Sequence, residues 1–200
     1  MCSSDLFAAR IDASGAAIET NGFPVAELPL NQMRPRIASG GQNFVVTWED
    51  QRSGLFFDIY AARISANGTV LDRDGLLLSR SENYETFSGS AWNGTNYLVA
   101  WRDLRNGSKF EIYAARISQS GLLLDPSGVR VANSANFNSY PSVASAGGDF
   151  LIVWEDTRIG ADHDIFGARV NAGGVLLDAN SISICTNAGS QQFQIGRAHV

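Results

Sequence analysis

Three aspartates, each followed two residues later by an arginine, are the first residues that could take part in catalysis or bind a metal ion. They occur in the pattern Trp-x-Asp-x-Arg, as Asp50-x-Arg52, Asp103-x-Arg105 and Asp156-x-Arg158. A carboxylate beside a cation could serve acid–base catalysis or hold a metal ion. One substrate needs one catalytic constellation, however, so a pair that returns in each copy of a repeat is more typical of a structural role. We therefore interpret the Asp-x-Arg pairs as structural.

His163 is a second candidate, because an imidazole titrates near neutral pH and can act as a general base. No nucleophile or acid partner accompanies it in the sequence. Cys185 is the one cysteine outside the terminal segments described next, which excludes an internal disulfide and a Cys/His zinc site. A calcium site repeated in each copy is not expected, because Asp162 is replaced by Lys109 and Phe56 in the other copies; a single calcium site stays open. We predict no catalytic residue, no metal site and no cofactor.

The two ends of the chain match the translation of a common short-read sequencing adapter. Residues 195–200 read IGRAHV, which is the translation of ATC-GGA-AGA-GCA-CAC-GTC, and residues 1–6 read MCSSDL, which the reverse complement of the same adapter encodes. Segments of artificial origin are excluded from reasoning about a fold. We expect residues 1–6 and 195–200 to be adapter-derived and to make few contacts.

Charge and hydropathy exclude two classes of partner. The net charge is −5, Lys109 is the only lysine, and no basic run is present. Binding to nucleic acid depends on neutralising phosphates with Lys and Arg, so no nucleic-acid partner is expected. No apolar run approaches the roughly 20 residues of a membrane-spanning helix.

A repeat of 53 residues organises the chain. Trp48, Trp101 and Trp154 keep this spacing, as do Arg10, Arg63, Arg116 and Arg169. Within one copy, short segments rich in Val, Ile, Phe, Tyr and Trp alternate with Gly, Asn and Asp, which predicts about four β-strands. Units of this size that cannot fold alone, but bury both faces when stacked, are typical of β-propeller blades. We predict an all-β protein: a partial β-propeller domain over 7–194, with a half blade (7–32) and three antiparallel four-stranded blades (33–85, 86–138 and 139–191).

The repeated sequence resembles a family of exported bacterial β-propeller repeat proteins, loosely similar to sialidase-like and TolB-like propellers. The resemblance is carried by GGxxFxVxWxDxRxG followed by DIYAARI. It implies a propeller located outside the cell or at its surface. Sialidase repeats carry the Asp-box S-x-D-x-G-x-T-W, whereas the corresponding turn at 65–71 reads SANGTVL, so no catalytic residue is carried over.

Positions whose residue type differs between copies of the repeat indicate a ligand-binding surface better than constant positions do. The loop between the second and third strands varies most, and in a propeller it lies on the same face as the linkers between blades. The predicted ligand-binding residues on this face are Phe56, Phe57, Lys109, His163, Tyr84 and Tyr140. We expect a non-enzymatic propeller that binds a carbohydrate or a protein. The alternative is a fragment of a secreted carbohydrate-active hydrolase with its catalytic residues elsewhere.

Two sets of ion pairs are predicted within the blades. If Asn67 and Gly68 are the two central residues of a tight hairpin, Arg63 lies directly opposite Asp72. The same register predicts the pairs Arg10–Glu19, Arg116–Asp125 and Arg169–Asp178. A second set, expected to close the loop between the second and third strands, comprises Arg52–Asp58, Arg105–Glu111 and Arg158–Asp164.

Overall fold

The computed structural model describes residues 5–132, 138–160 and 162–191, and within these ranges it contains strands and turns but no helix. The strands are β1 (Leu6–Ala8), β2 (Phe23–Ala26), β3 (Gln32–Gly40), β4 (Asn43–Asp50), β5 (Asp58–Ser65), β6 (Leu76–Ser79), β7 (Glu85–Trp92), β8 (Asn96–Asp103), β9 (Glu111–Ser118), β10 (Val129–Ala132), β11 (Asn138–Ala146), β12 (Asp149–Asp156), β13 (Asp164–Val170) and β14 (Ile182–Cys185). The prediction of an all-β chain is confirmed.

The strands form antiparallel sheets in which chain neighbours are sheet neighbours. β1 and β2 form the half blade, and three four-stranded sheets follow: blade 1 (β3–β6), blade 2 (β7–β10) and blade 3 (β11–β14). The first strands of adjacent blades contact each other, so β3, β7 and β11 line the inner side of the assembly. This is the arrangement of a partial β-propeller. Each blade begins one residue before the predicted boundary, at Gln32, Glu85 and Asn138.

The second and third strands of each blade carry the core. A strand covered on both faces buries consecutive residues rather than alternate ones, and β4 and β5 each show runs of five or six buried residues. Trp48, Trp101 and Trp154 are fully buried. Trp101 packs into a cluster with residues of blade 1, and Trp154 packs with residues of blade 2. The repeated tryptophan therefore joins each blade to the preceding one.

Each aspartate of the Asp-x-Arg pattern is a buried acceptor inside its own blade. Asp50 accepts a hydrogen bond from the indole Nε1 of Trp48 at 2.8 Å and one from the backbone N–H of Arg52 at 2.9 Å. The Arg52 guanidinium also contacts Asp50 at 2.5 Å and stacks over the Tyr60 ring at 3.9 Å. Burial raises the pKa of Asp50, but the hydrogen bonds from Arg52 and Trp48 outweigh it and hold that pKa below its usual value.

The predicted pairing of Arg52, Arg105 and Arg158 with the acids across the loop is wrong. These arginines bond instead to Asp50, Asp103 and Asp156, each at 2.5 Å. The arginine backbone N–H already donates to that aspartate, so the side chain folds back onto the same carboxylate. Two of the acids opposite have other cationic partners: Asp58 pairs with Arg80, and Glu111 pairs with Arg130; Asp164, across from Arg158, is buried.

The hairpin prediction is wrong by one residue. Ser65 N–H donates to Thr69 O and Ile64 bridges Val70, so the loop has three residues, 66–68, ending at Gly68 with φ 85°. A three-residue loop that ends in a left-handed glycine is a standard hairpin connection. The same geometry recurs at Gly15, Gly121 and Gly174, with φ between 85° and 90°.

The ion pairs at this hairpin are nevertheless present in the half blade and in all three blades. The shortest N–O distances are 2.5 Å for Arg10–Glu19, 2.8 Å for Arg63–Asp72, 2.8 Å for Arg116–Asp125 and 2.9 Å for Arg169–Asp178. The residue directly opposite Arg63 is Leu71, which donates to the Arg63 carbonyl. The ladder ends there, and the Asp72 carboxylate accepts the Arg63 backbone N–H at 2.9 Å and its Nε at 2.8 Å.

Three of these arginines also hold the next blade. Arg63 Nη1 donates to Gln119 O in the following hairpin at 3.0 Å, and Arg116 Nη1 donates to Ala172 O at 2.7 Å. Arg10 makes the equivalent bond to Ala66 O. A Cβ on Gly121 would lie 2.6 Å from the Arg63 guanidinium carbon, so a side chain there would displace the guanidinium.

The adapter-matching ends are only partly described. Leu6 lies in β1, pairs with Ala26 and is 7% exposed. The expectation of few contacts is therefore wrong at Leu6, because an apolar residue that continues a strand is buried whatever its origin. Residues 195–200 lie outside the described residues.

Candidate functional site

The candidate site lies at the end of the blades where each first strand begins and each second strand ends, which we name the mouth. Each first strand has a bulge there: Met33 pairs with Glu49, but the next pair is Arg36 with Thr47. One residue in each bulge has a left-handed backbone, namely Arg34 (φ 52°), Phe87 (φ 54°) and Tyr140 (φ 51°). Such a conformation costs energy for residues other than glycine, and it concentrates at functional sites.

These three residues, which we name the mouth cluster, meet although they belong to different blades. The Phe87 and Tyr140 rings are 4.5 Å apart between centroids, at 59°. The Arg34 guanidinium carbon lies 4.8 Å from the Phe87 centroid. Tyr140 is 37% exposed.

Glu49 holds the mouth cluster in place across the first blade interface. It is fully buried, and it accepts hydrogen bonds from Arg34 Nη1 at 2.7 Å, Thr86 Oγ1 at 2.7 Å and the Phe87 backbone N–H at 2.8 Å. A carboxylate from blade 1 therefore fixes the strained bulge of blade 2. This makes Glu49 a positioning residue.

The positions equivalent to Glu49 are Arg102 in blade 2 and Glu155 in blade 3. Arg102 lies over the Phe110 ring, with its guanidinium carbon 3.5 Å from the centroid. Glu155 is buried, and its Oε2 lies 3.4 Å from His163 Nδ1. Phe110 and His163 are themselves equivalent positions, so each blade presents a different chemical pair at the mouth.

A cleft of about 450 Å³, which we name the mouth cleft, opens along the first strands of blades 1, 2 and 3. Its lining includes Phe87, Tyr140, Glu155, Arg36 and several small residues of β7 and β11. A volume of this size is within the usual range for small-molecule sites. Aromatic rings, a cation and small polar residues thus line the same cleft.

Glu85 lies deeper at the same end of blade 2 and is fully buried. Burial raises the pKa of Glu85 to about 8, while a hydrogen bond from Ser79 at 2.6 Å opposes that shift and the nearby Asp103 adds to it. The equivalent residues in blades 1 and 3 are the neutral amides Gln32 and Asn138. Glu85 therefore behaves as a neutral carboxylic acid near pH 7.

The predicted ligand-binding residues are distributed over this face. Tyr140 lines the cleft, and His163 lies beside Glu155. Phe56 and Tyr84 contact each other edge to face at 5.0 Å between blades 1 and 2. The Phe57 backbone carbonyl accepts the Glu85 N–H. Lys109 is half-buried and has no ion pair among the described residues.

Sequence reasoning missed Arg34, Glu49, Phe87 and Arg102. Their signal was nonetheless present in the repeat: positions 34, 87 and 140 read Arg, Phe and Tyr, and positions 49, 102 and 155 read Glu, Arg and Glu. What the sequence does not reveal is the bulge, which turns the residue at 34, 87 or 140 towards its neighbours.

Several carboxylates around the mouth are bonded to other residues of the chain. Asp50, Asp103 and Asp156 are buried and bonded to their own arginines, and Glu49 has three donors. Glycoside hydrolysis needs two carboxyl groups facing the scissile bond. Within the described ranges no cluster of three or more His, Cys, Asp or Glu side chains could hold a metal ion.

Comparison with known proteins bears on the fold. No protein-family model matches the chain, and no curated protein matches it. Among solved structures, it is similar to a thermostable family-43 glycoside hydrolase (TM-score 0.55, 14% identity, covering 84% of this chain and 62% of that one). It is also similar to an α-L-arabinofuranosidase from Lactobacillus brevis (TM-score 0.50, 12% identity, 82% and 60%). At these identities the likeness shows the fold alone, and the chain spans about 60% of the length of these structures.

No helix long and apolar enough to cross a membrane occurs among the described residues.

Proposed function

We propose that the chain is a non-enzymatic binding module that holds a carbohydrate at the mouth cleft. The observation that carries this proposal is the mouth cluster. Three repeat-equivalent residues adopt the same strained backbone, differ in type and bring their side chains together. A fold built from identical blades has no structural need for that difference.

The chemistry of the cleft suits a sugar. An exposed aromatic face packs against the C–H face of a sugar ring by burying apolar surface, and Tyr140 offers such a face beside Phe87. Ser88, Ser90 and Ser142 line the same cleft and can hydrogen-bond to hydroxyl groups. The fold is shared with structures that are described as glycoside hydrolases.

The test is binding of defined oligosaccharides to the 200-residue chain, measured by isothermal titration calorimetry. Tyr140→Ala should weaken binding by about 10-fold or more, because one stacking surface is lost. Tyr140→Phe, which keeps the ring, should retain most of the affinity and serves as the matched control. Equal affinities for the wild-type and Tyr140→Ala proteins would refute the cleft as the binding site.

A second candidate is a glycoside hydrolase whose catalytic residues lie outside this chain. It is favoured by the fold likeness to two such enzymes, of which the chain spans about 60%. A longer gene product that releases sugar from a polysaccharide, while the 200-residue chain binds the same polysaccharide without cleaving it, would support this candidate. In both cases we place the protein outside the cell or at its surface, which detection of the tagged protein in the medium or on intact cells would test.

A further inference from the structure

Blade 3 leaves exposed a face that blades 1 and 2 bury. Ile184 is 49% exposed, whereas Leu78 and Val131, at the equivalent positions of the repeat, are each 2% exposed. Leu78 packs in a cluster with residues of blade 2, and Val131 packs in a cluster with residues of blade 3. Leu151 and Ile182 are exposed on the same side of blade 3. We name Leu151, Ile182 and Ile184 the open face of blade 3.

The half blade leaves exposed the opposite face, which in the complete blades meets the preceding blade. Phe7 is 56% exposed, whereas Tyr60, Tyr113 and Phe166, at the equivalent positions, are buried. Each of these three rings packs in a cluster with residues of the sheet before it. Ile11 is exposed like Phe7, and we name these two residues the open face of the half blade. The two open faces are therefore the two sides of an interface that the chain forms three times within itself.

The hairpin arginines indicate the same interface from the side of blade 3. Arg10, Arg63 and Arg116 each donate from Nη1 to a carbonyl in the next hairpin. Arg169 is the fourth arginine of this series, and within the described ranges its hydrogen bonds all go to Asp178. Arg169 therefore has the donor of a contact between blades but not its acceptor.

The hairpin glycines indicate the interface from the side of the half blade. A Cβ on Gly68, Gly121 or Gly174 would lie 3.0, 2.6 or 2.7 Å from the arginine of the preceding sheet. A Cβ on Gly15, the equivalent glycine of the half blade, would have nothing within 4 Å. The hairpin at Gly15 thus lacks the arginine contact that the other three hairpins have, and Arg169 lacks the hairpin.

We propose that the open face of blade 3 binds the half blade of a second copy of this chain, head to tail. Ile184 would pack against Phe7 of the second copy. Arg169 would donate to the carbonyl of Ala13 of the second copy, because Ala13 is equivalent to Ala66, which accepts from Arg10. The partner is a second copy because this one sequence carries both sides of the contact at repeat spacing.

This association is independent of the proposed carbohydrate binding, since no residue of either open face lines the mouth cleft. The half blade supplies two strands where a complete blade supplies four, and a small interface is typical of transient association. We expect a dissociation constant of roughly 10–100 µM. The contact joins two different faces, so it continues through successive copies unless they close into a ring.

The test is sedimentation velocity of the 200-residue chain from about 5 to about 500 µM, a range that brackets the expected dissociation constant. The wild type should form species larger than the monomer at the higher concentrations. Ile184→Glu and Phe7→Glu each place a charge in one face, which is costly in an apolar contact, so each variant alone should stay monomeric. Each variant keeps the other face intact, and an equimolar mixture of the two should therefore form a dimer and nothing larger.

Leu55→Glu is the matched control, because Leu55 is an exposed apolar residue of the loop after β4 and belongs to neither open face. It should associate as the wild type does. Circular dichroism and thermal melting at the lowest concentration establish that the variants are folded. Arg169→Gln keeps the apolar face and should weaken the association about 5-fold, because one hydrogen bond between copies is lost.

Three results would overturn the proposal. The first is a wild type that stays monomeric over the whole concentration range. The second is association that survives in Ile184→Glu or in Phe7→Glu alone. The third is a mixture of these two variants that forms no dimer, because a head-to-tail contact needs only one intact face from each copy.

Discussion

The two ends of each blade differ in the residues that occupy their left-handed positions. At the hairpin end, arginine, acid and glycine recur in the half blade and in every complete blade, with the same ion pair. At the mouth end the backbone repeats equally well, including the left-handed residue of the bulge, but the side chains at that position are Arg, Phe and Tyr. The side chains that repeat at the hairpin therefore lie where blades contact each other, and the side chains that vary in the bulge lie at an open surface.

This difference matters because both ends place a residue in the left-handed backbone conformation, which costs free energy for residues other than glycine. The left-handed bulge residues are strained, and Glu49 uses three hydrogen bonds to hold one of them. At the hairpin end the same conformation is assigned to glycine, where it costs little. This contrast supports the proposal that the Arg, Phe and Tyr side chains at the mouth serve a ligand.

The largest effect should come from the constant core. Trp101→Ala removes a fully buried indole between blades 1 and 2 and leaves Asp103 without its indole donor. We expect a loss of about 3–5 kcal/mol in the free energy of unfolding, measured by urea denaturation. Tyr140→Ala, at the variable end, should change that free energy by less than about 1 kcal/mol. Similar losses for the two variants would erase the distinction between the two ends.

The hairpin glycines offer a matched pair of substitutions. Gly121 and Gly15 have nearly the same φ, 90° and 87°, so alanine is strained at both. A Cβ at Gly121 would lie 2.6 Å from the Arg63 guanidinium carbon, whereas a Cβ at Gly15 has nothing within 4 Å. Gly15→Ala should therefore cost about 1 kcal/mol, and Gly121→Ala about 1–2 kcal/mol more. Equal melting temperatures for the two variants would show that the arginine contact is unimportant.

The sequence predicted the 53-residue repeat and the residues that form ion pairs better than it predicted the register of the hairpin. Spacing alone gave the blades and the Arg63–Asp72 type of pair, because acid and base recur at fixed distances. The hairpin register was wrong because Asn67-Gly68 fits both a two-residue and a three-residue loop, and the two differ by one residue. Asp72 still reaches Arg63, since the strand leaves the ladder after Leu71.

The binding role of the predicted ligand-binding residues stays a prediction. Of these residues Tyr140, which was predicted from its place in a linker between blades, lines the cleft. Arg34 and Phe87 were missed because their contacts depend on a bulge that sequence periodicity does not reveal, and on packing between residues 53 positions apart. Arg102 was missed because its ring contacts, to Phe87 and Phe110, follow no spacing of the repeat. The predicted partners of Arg52, Arg105 and Arg158 were wrong for a different reason. Each arginine bonds to the carboxylate two residues earlier in the sequence, and the spacing between distant acids and arginines does not reveal such a local contact.

Glu85 provides a pH-dependent test at the mouth end. Its pKa is raised to about 8 in the folded protein, against 4.5 for an ordinary glutamate. Between these values the unfolded chain releases the proton while the folded protein keeps it, so stability falls as pH rises from about 4.5 to about 8 and then levels off. Glu85→Gln, which copies Gln32 of blade 1, should remove this loss and be more stable than the wild type by about 1–3 kcal/mol at pH 8. Urea denaturation at pH 5 and pH 8 measures it, and a wild-type advantage that grows with pH would contradict it.

The smallest effect should distinguish two arginines of the same motif. Arg116 bonds to Asp125 and also to Ala172 O in the next blade, and its side chain is 13% exposed. Arg169 makes the equivalent pair with Asp178, but its side chain is 54% exposed and it has no second blade contact within the described ranges. Arg116→Gln should cost about 1 kcal/mol, because the bond between blades is lost, whereas Arg169→Gln should leave the urea midpoint unchanged, since an exposed pair contributes little. If the two substitutions shift the midpoint equally, the pair within the blade, rather than the contact between blades, is what stabilises the hairpin end.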